Sequence, residues 1–249
     1  MKNILVFIFT ATLLMISGCD VDEFLDQGPL DEYTSASVFR TEADMILASN
    51  YLYTFLPHLD QRYGESRLFL WTDDGWRRNG GREGTHLKWL ATDVFLNFYR
   101  YEEIKHCNEF ISRIPDATFV TEGIAERLEA EARFIRAMLY ERMVFLHGDI
   151  PLVTEPQSID FFPSREGQRS VVFEFVLNEL DDIATVLPPS YSGSDEGRIT
   201  KWAAMALKAQ ACLNAIGWHS NPASLYDQAE SACRSIITGG GFSLDDGID

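Results

Sequence analysis

Trp71-Thr-Asp73-Asp74-Gly75-Trp76-Arg77-Arg78-Asn79 places two indoles, two carboxylates, two guanidinium groups and an amide within nine residues. That set of groups suits a saccharide. Sugars present flat patches of C–H on their ring faces and hydroxyls on their edges. An indole covers the first, and fixed Arg, Asn or Asp groups hydrogen-bond the second. Trp76, flanked by Gly75 and two arginines, is the least core-like of the group. With Arg77, Asn79 and Trp71 it makes up the candidate contact set. Trp71 and Trp89 read equally well as core anchors pinning a long loop. The surrounding segment, Pro57 to Ala91, holds three of the five tryptophans and five arginines. A connection of that length in a compact domain is usually functional or disordered.

Other chemistry finds little footing in the chain. The five histidines (His58, His86, His106, His147, His219) are scattered, without the i,i+4 spacing that puts two ligands on one helix face. No Gly-x-Ser-x-Gly elbow is present, and Asp245-Asp246-Gly247 lacks the other ligands of a calcium loop. Asp73 with Asp74, and Asp181 with Asp182, are sequence neighbours, which diverge on a helix instead of converging as a hydrolytic pair. The reading is of a non-enzyme with no cofactor and no metal. The net charge of −17 repels nucleic acid and anionic lipid heads, which argues against either as partner.

The leader Met1–Cys19 bears on location. Lys2 gives a positive start and Ile4 to Ile16 is almost wholly apolar. At ~13 residues the run is too short to cross a hydrocarbon core and fits an export signal. Two small residues and a cysteine follow (Ser17-Gly18-Cys19), which resembles a bacterial lipobox with Cys19 as the lipid attachment site. The expected organisation is a signal peptide over 1–18, a lipidated tether over 19–40 and a helical domain over 41–249. Removing 1–18 takes away one Lys and no acid, so the body carries −18. The acyl chains must hold it to the membrane without help from a basic patch.

Apolar residues then recur at helical spacing six times. The first stripe, Ala43 to Phe55, opens at a capping box of Thr41 and Asp44. The second, Ile104 to Ile114, stops at Pro115. The third runs from Ile124 to Leu146 and ends at Gly148. The fourth, Phe173 to Leu187, is closed by Pro188-Pro189. The fifth, Trp202 to Ile216, is Ala-rich, and the sixth opens at Ser224 and ends in Gly239-Gly240-Gly241. No run alternates with period two. These features predict an all-α fold: stacked antiparallel helix pairs in a tetratricopeptide-like superhelix with long irregular loops, the small residues Ala203, Ala204, Ala211 and Ala229 letting helices approach closely. Cys107, Cys212 and Cys233 fall in these patterns as small buried hydrophobes, with a Cys212–Cys233 bridge as the alternative for that pair. Glu129 and Arg133 are i,i+4 partners on a solvated face. Glu129 and Glu131 project about 200° apart and cannot form a convergent acid pair. Arg133 or Arg136 could bridge buried carbonyls.

The stretch Glu129-Ala-Glu131-Ala-Arg133-Phe134-Ile-Arg136-Ala137-Met-Leu-Tyr140, continuing to His147-Gly148-Asp149-Ile150-Pro151-Leu152-Val153, resembles the SusD/RagB family of surface glycan-binding lipoproteins. Cys19-Asp20 with Phe24-Leu25-Asp26, the helix around Asn108, Leu180-Asp181-Asp182 with Leu187-Pro188, and Gly197-Arg198-Ile199-Thr200-Lys201 follow in the family's order. The resemblance covers residues 19–249 but only the N-terminal part of the family pattern, so a truncated or partial product is expected. It implies a lipid-anchored outer-membrane protein, surface-exposed, that captures oligosaccharide and passes it to a SusC-like TonB-dependent transporter. A helical scaffold whose only ligand is another protein is the alternative. A helical-barrel glycoside hydrolase is a third, and needs two convergent carboxylates.

Overall fold

The computed structural model describes residues 39–56, 99–158, 164 and 168–243. Six α-helices and three single 3₁₀ turns make up the regular structure of these residues. Helix α1 is Glu42–Leu52, α2 is Tyr101–Arg113, α3 is Ile124–His147, α4 is Gln168–Val186, α5 is Lys201–Ala215 and α6 is Pro222–Gly239. Among the described residues the sole β feature is an isolated parallel bridge between Thr41 and Thr118.

The helix ends follow from local chemistry. Thr41 caps α1 in the expected capping box: its hydroxyl accepts from the Asp44 amide, and the Asp44 carboxylate accepts from the Thr41 amide at 3.0 Å. Pro115 cannot continue α2 and sits in the 3₁₀ turn Ile114–Asp116 that follows it. At the end of α3 the Gly148 amide closes on the Val144 carbonyl at 2.9 Å with φ +72°, a left-handed backbone that favours glycine. The cap of helix α6 lies three residues earlier than its sequence suggests. Asn221 is the cap, its side-chain oxygen accepting from the Ser224 amide, and Pro222 occupies the first turn where its missing N–H costs nothing.

Each helix from α3 onward packs on its predecessor, α2 packs on α3, and α1 lies against α2 and α3. Neighbours are antiparallel. Arg100 and Asn108 of the α2 side meet Met143 and Arg136 of α3. Arg133 of α3 meets Asp182 of α4 while Phe145 of α3 lies by Phe173 of α4, and Lys208 of α5 meets Asp181 of α4. The core is one cluster built around Leu128, Ile135, Tyr140, Met143, Ile183 and Leu225. Ala204, Ala211 and Ala229 are buried at the helix contacts as expected, whereas Ala203 is only half-buried. Cys107 and Cys212 are buried free thiols, and burial pushes the Cys107 thiol up to about 12. Cys233 is also free but exposed on the outer side of α6, so neither the buried reading nor the Cys212–Cys233 bridge applies to it.

The entry of the chain into this body is clasped. Thr118 donates its amide to the Arg40 carbonyl at 2.8 Å, and Glu42 accepts from the amides of Val120 and Thr121 and from the Thr121 hydroxyl. Those donors hold the Glu42 carboxyl below its ordinary value near 4.5. Because the folded value is the lower one, the contribution is present above about 4.5 and lost as pH falls below it. The Thr121 amide resonance is therefore expected to titrate with a midpoint under 4.5 in an NMR pH series. A Glu42→Gln variant removes that titration, and one that kept it would disprove the clasp.

Candidate functional site

Cys19 and the saccharide-contact candidates Trp71, Trp76, Arg77 and Asn79 lie outside the described residues. What the structure does bring together is the motif on α3 that carried the family resemblance. Its Glu131, Arg133 and Arg136 side chains point into the molecule, in two clusters, while Glu129 stays 41% exposed.

The first surrounds Glu131, whose side chain is fully buried. Its Oε2 accepts from Arg198 Nη1 at 2.9 Å and from Ser49 Oγ at 3.2 Å, and Arg127 Nε lies 3.8 Å from Oε1. Arg198 in turn donates to Asp195 at 2.7 Å and to Asn50 at 2.8 Å, and Asp195 accepts from Arg127 at 2.8 Å. Two phenols complete the shell: the Tyr53 hydroxyl accepts from the Ile199 amide, and Tyr191 donates to the Ile199 carbonyl. Burial, with the Glu131 charge second, raises the pKa of both phenols. Helix α1, helix α3 and the α4–α5 connection thus converge on one carboxylate.

The second cluster surrounds Arg136. Its Nη1 donates to Asn108 Oδ1 at 2.8 Å and to the Thr154 carbonyl at 3.0 Å, and its Nη2 to Glu179 Oε2 at 2.7 Å. Glu179 also accepts from Arg133 at 2.7 Å, and Arg133 reaches Asp182 at 3.2 Å. The connection after α3 runs extended through this cluster. Tyr140 both donates to the Val153 carbonyl and accepts from the Val153 amide, each at 2.8 Å. Asn108 donates to the Val153 carbonyl at 3.0 Å, and Tyr101 to the Pro151 carbonyl at 2.9 Å. Side chains of two helices here satisfy backbone groups that a sheet partner would otherwise satisfy.

The chemistry of both clusters is positioning. Glu131 and Glu179 are each saturated by arginine and serve as counter-ions. Asp181 pairs with Lys208 of α5 while Asp182 pairs with Arg133 of α3, so these neighbours diverge as their spacing indicates. Among the described residues no group of three His, Cys, Asp or Glu side chains is placed to hold a metal ion. The bridging of a buried carbonyl falls to Arg136. Arg133 is a correction: its contact with Glu129 exists, at 4.0 Å, but Glu179 is its main partner and the face is half-buried, not solvated. Ser49, Tyr53, Glu179 and Tyr191 are functional parts of these clusters that the sequence reading missed. The available signal was a polar residue at a core position of an apolar stripe, as Ser49 and Asn108 are.

A shallow cleft where α3, α4 and α5 meet is lined by Glu141, Val144, Phe145, Phe173, Asn214 and Trp218. Its indole is braced and not offered to a ligand: the Arg169 guanidinium lies 4.0 Å from the Trp218 ring centre, and Phe173 meets it edge to face at 5.3 Å.

No family model matches the chain. A curated SusD-like protein of Formosa agariphila is 24% identical over 239 residues, covering 88% of this chain and 44% of that protein. Among solved structures, a SusD-like protein from Bacteroides fragilis superposes with a TM-score of 0.67 at 24% identity, over 89% of this chain and 42% of its own. A laminarin-binding SusD-like protein gives 0.68 at 20% identity, over 83% and 47%. The SusD-like resemblance read from the residues is borne out, and the helical fold is shared with these structures. The chain spans less than half the length of the curated relative.

Removing one partner from a buried ion pair leaves an uncompensated charge and costs roughly 3–5 kcal/mol, whereas an exposed pair contributes about 0–1 kcal/mol. Urea unfolding is therefore expected to show Glu179→Ala destabilised by about 3–5 kcal/mol, since Arg133 and Arg136 each lose their nearest carboxylate. Glu230→Ala, which breaks the exposed Glu230–Arg234 pair, is expected to stay within about 0.5 kcal/mol of the parent. Equal effects in the two variants would refute the positioning role.

Proposed function

We propose that this chain is the helical portion of a lipid-anchored glycan-binding protein of a nutrient-uptake system. It captures extracellular oligosaccharide and passes it to a SusC-like TonB-dependent outer-membrane transporter. The reading rests above all on the likeness in sequence and fold to SusD-like proteins along nearly nine-tenths of the chain. One of the solved neighbours is named as laminarin-binding and another as carbohydrate-binding, which favours a glycan ligand. The leader ending in Cys19 supports an outer-membrane lipid anchor. No described helix is long and apolar enough to cross a membrane, which fits attachment through a lipid.

On this reading Trp76 stacks on a sugar ring face while Arg77 and Asn79 hydrogen-bond its hydroxyls, with Trp71 alongside. The clusters around Glu131 and Arg136 supply a rigid frame and take no part in ligand contact. Binding needs neither a cofactor nor bond making, and the protein acts by capture and hand-off.

The test is glycan-array binding of residues 20–249 with Trp76→Ala beside it. Binding of an oligosaccharide, weakened about ten-fold in the variant, is the expected result, in line with the ~1 kcal/mol or more that an aromatic contact contributes beyond its buried area. Undiminished binding by Trp76→Ala would move the site away from this loop. Absence of any saccharide binding by folded protein that still binds the transporter would replace the reading with the protein–protein scaffold. The apolar side chains left exposed on α1 and α6 (Leu47, Tyr51, Tyr226, Ile237) are the observation that favours that second reading.

A further inference from the structure

Three glutamates have side chains within the helical core: Glu131, Glu179 and Glu141. The first two face arginines at 2.7–2.9 Å. Glu141 is different. It is 6% exposed, it projects from α3 into the cleft among Val144, Phe145 and Trp218, and its bonded partner is the neutral amide of Asn214 on α5, 2.6 Å away. The charged groups on the elements around it are engaged elsewhere. On α4, Arg169 stacks on Trp218 and Glu174 faces His219 Nε2 at 3.7 Å. On α5, Lys208 is paired with Asp181. On α3 itself, the neighbouring Arg142 is partly buried, and among the described residues no Lys or Arg forms an ion pair with Glu141.

A carboxyl in such surroundings favours its protonated form, because the ionised form must be desolvated without a counter-charge. We propose that the Glu141–Asn214 contact is a proton-controlled joint between α3 and α5. With Glu141 neutral, the pair packs as an uncharged hydrogen-bonded contact and holds the C-terminal end of α5 and the turn at Trp218 in place. With Glu141 ionised, the joint bears a buried charge and the end of α5 opens more readily. Helix α6 packs on α5, so the joint sets how firmly the last hairpin is seated on the array.

The direction with pH follows from linkage. Burial raises the Glu141 carboxyl above its ordinary 4.5, with Asn214 opposing weakly. The folded state therefore holds the proton more tightly than the unfolded one. The contribution of this group to stability is fully present below about 4.5 and is lost as pH rises through the folded value.

Hydrogen exchange by mass spectrometry on the full chain and on Glu141→Gln, from pH 4 to 8.5 with intrinsic rates corrected, tests the joint. Gln keeps the shape and cannot ionise. Exchange over residues 208–218 is expected to coincide with that of Glu141→Gln at pH 4, to rise in the parent relative to the variant by up to about ten-fold per pH unit between 4.5 and the folded value of the Glu141 carboxyl, and to hold a constant excess above it. Peptides from α2 should not distinguish the two. Asn214→Asp, which adds a second carboxyl, should steepen the rise. Identical profiles for parent and Glu141→Gln, or a difference of the same size at pH 4 as at pH 8, would overturn the proposal.

Discussion

The structure hangs on what α3 buries. Glu131 and Arg136 are five residues apart, which on a helix turns them about 140° from one another, so one helix presents an acid to one flank and a base to another. The acid gathers α1 and the α4–α5 connection, and the base gathers α2, α4 and the connection that follows α3. Burying these charges is expensive. Replacing such a cluster with well-packed apolar residues is often neutral or stabilising, so stability alone does not account for them. Register does. The contacts between helices here are lined by alanines, which allow close approach but specify little about sliding or rotation, whereas a guanidinium fork matches its acceptors in one position only.

The same logic explains the connection from Gly148 to Glu155. An extended segment without a sheet partner exposes backbone donors and acceptors that must be satisfied. Tyr140, Asn108, Tyr101 and Arg136 satisfy those of Pro151, Val153 and Thr154, and Ile150 fills the core. The stretch from Glu129 to Val153 is therefore a folding device: a helix, a glycine stop and a strap fastened across the helix that precedes it. Its polar residues are spent on the frame. Recognition chemistry has to be sought on loops that such a frame can hold still.

Much of the fold was legible because local rules and tertiary packing agree. The box at Thr41 and Asp44, the glycine stop at Gly148 and the proline stops after α2 and α4 each act within one turn of chain. Their outcome does not depend on what packs nearby. Where the reading erred, the deciding partner was distant. Arg133 looks solvated because Glu129 is four residues away, yet its stronger partner is Glu179, forty-six residues on. Cys233 falls within an apolar repeat but on the side of α6 that no described helix covers. The opening of α6 went to Asn221 and not to Ser224 because a proline at the first turn is as strong a start signal as a serine cap. Of the saccharide-contact candidates, sequence chemistry alone speaks, since Trp71, Trp76, Arg77 and Asn79 fall outside the described residues.

Three buried glutamates on neighbouring helices show how one residue type divides into different roles. Glu131 and Glu179 each face an arginine, and those pairs lock register. Glu141 is matched only by an amide, and its charge is conditional on the solution. A frame with two arginine-matched locks and one joint that lacks a counter-charge is not uniformly rigid. The α1–α4 part is pinned by charge from several sides, while the α5–α6 hairpin is seated by apolar packing, the Lys208–Asp181 pair and the Glu141–Asn214 contact. Any opening of the array should therefore begin at the α5–α6 end, where fewer buried charges would have to separate.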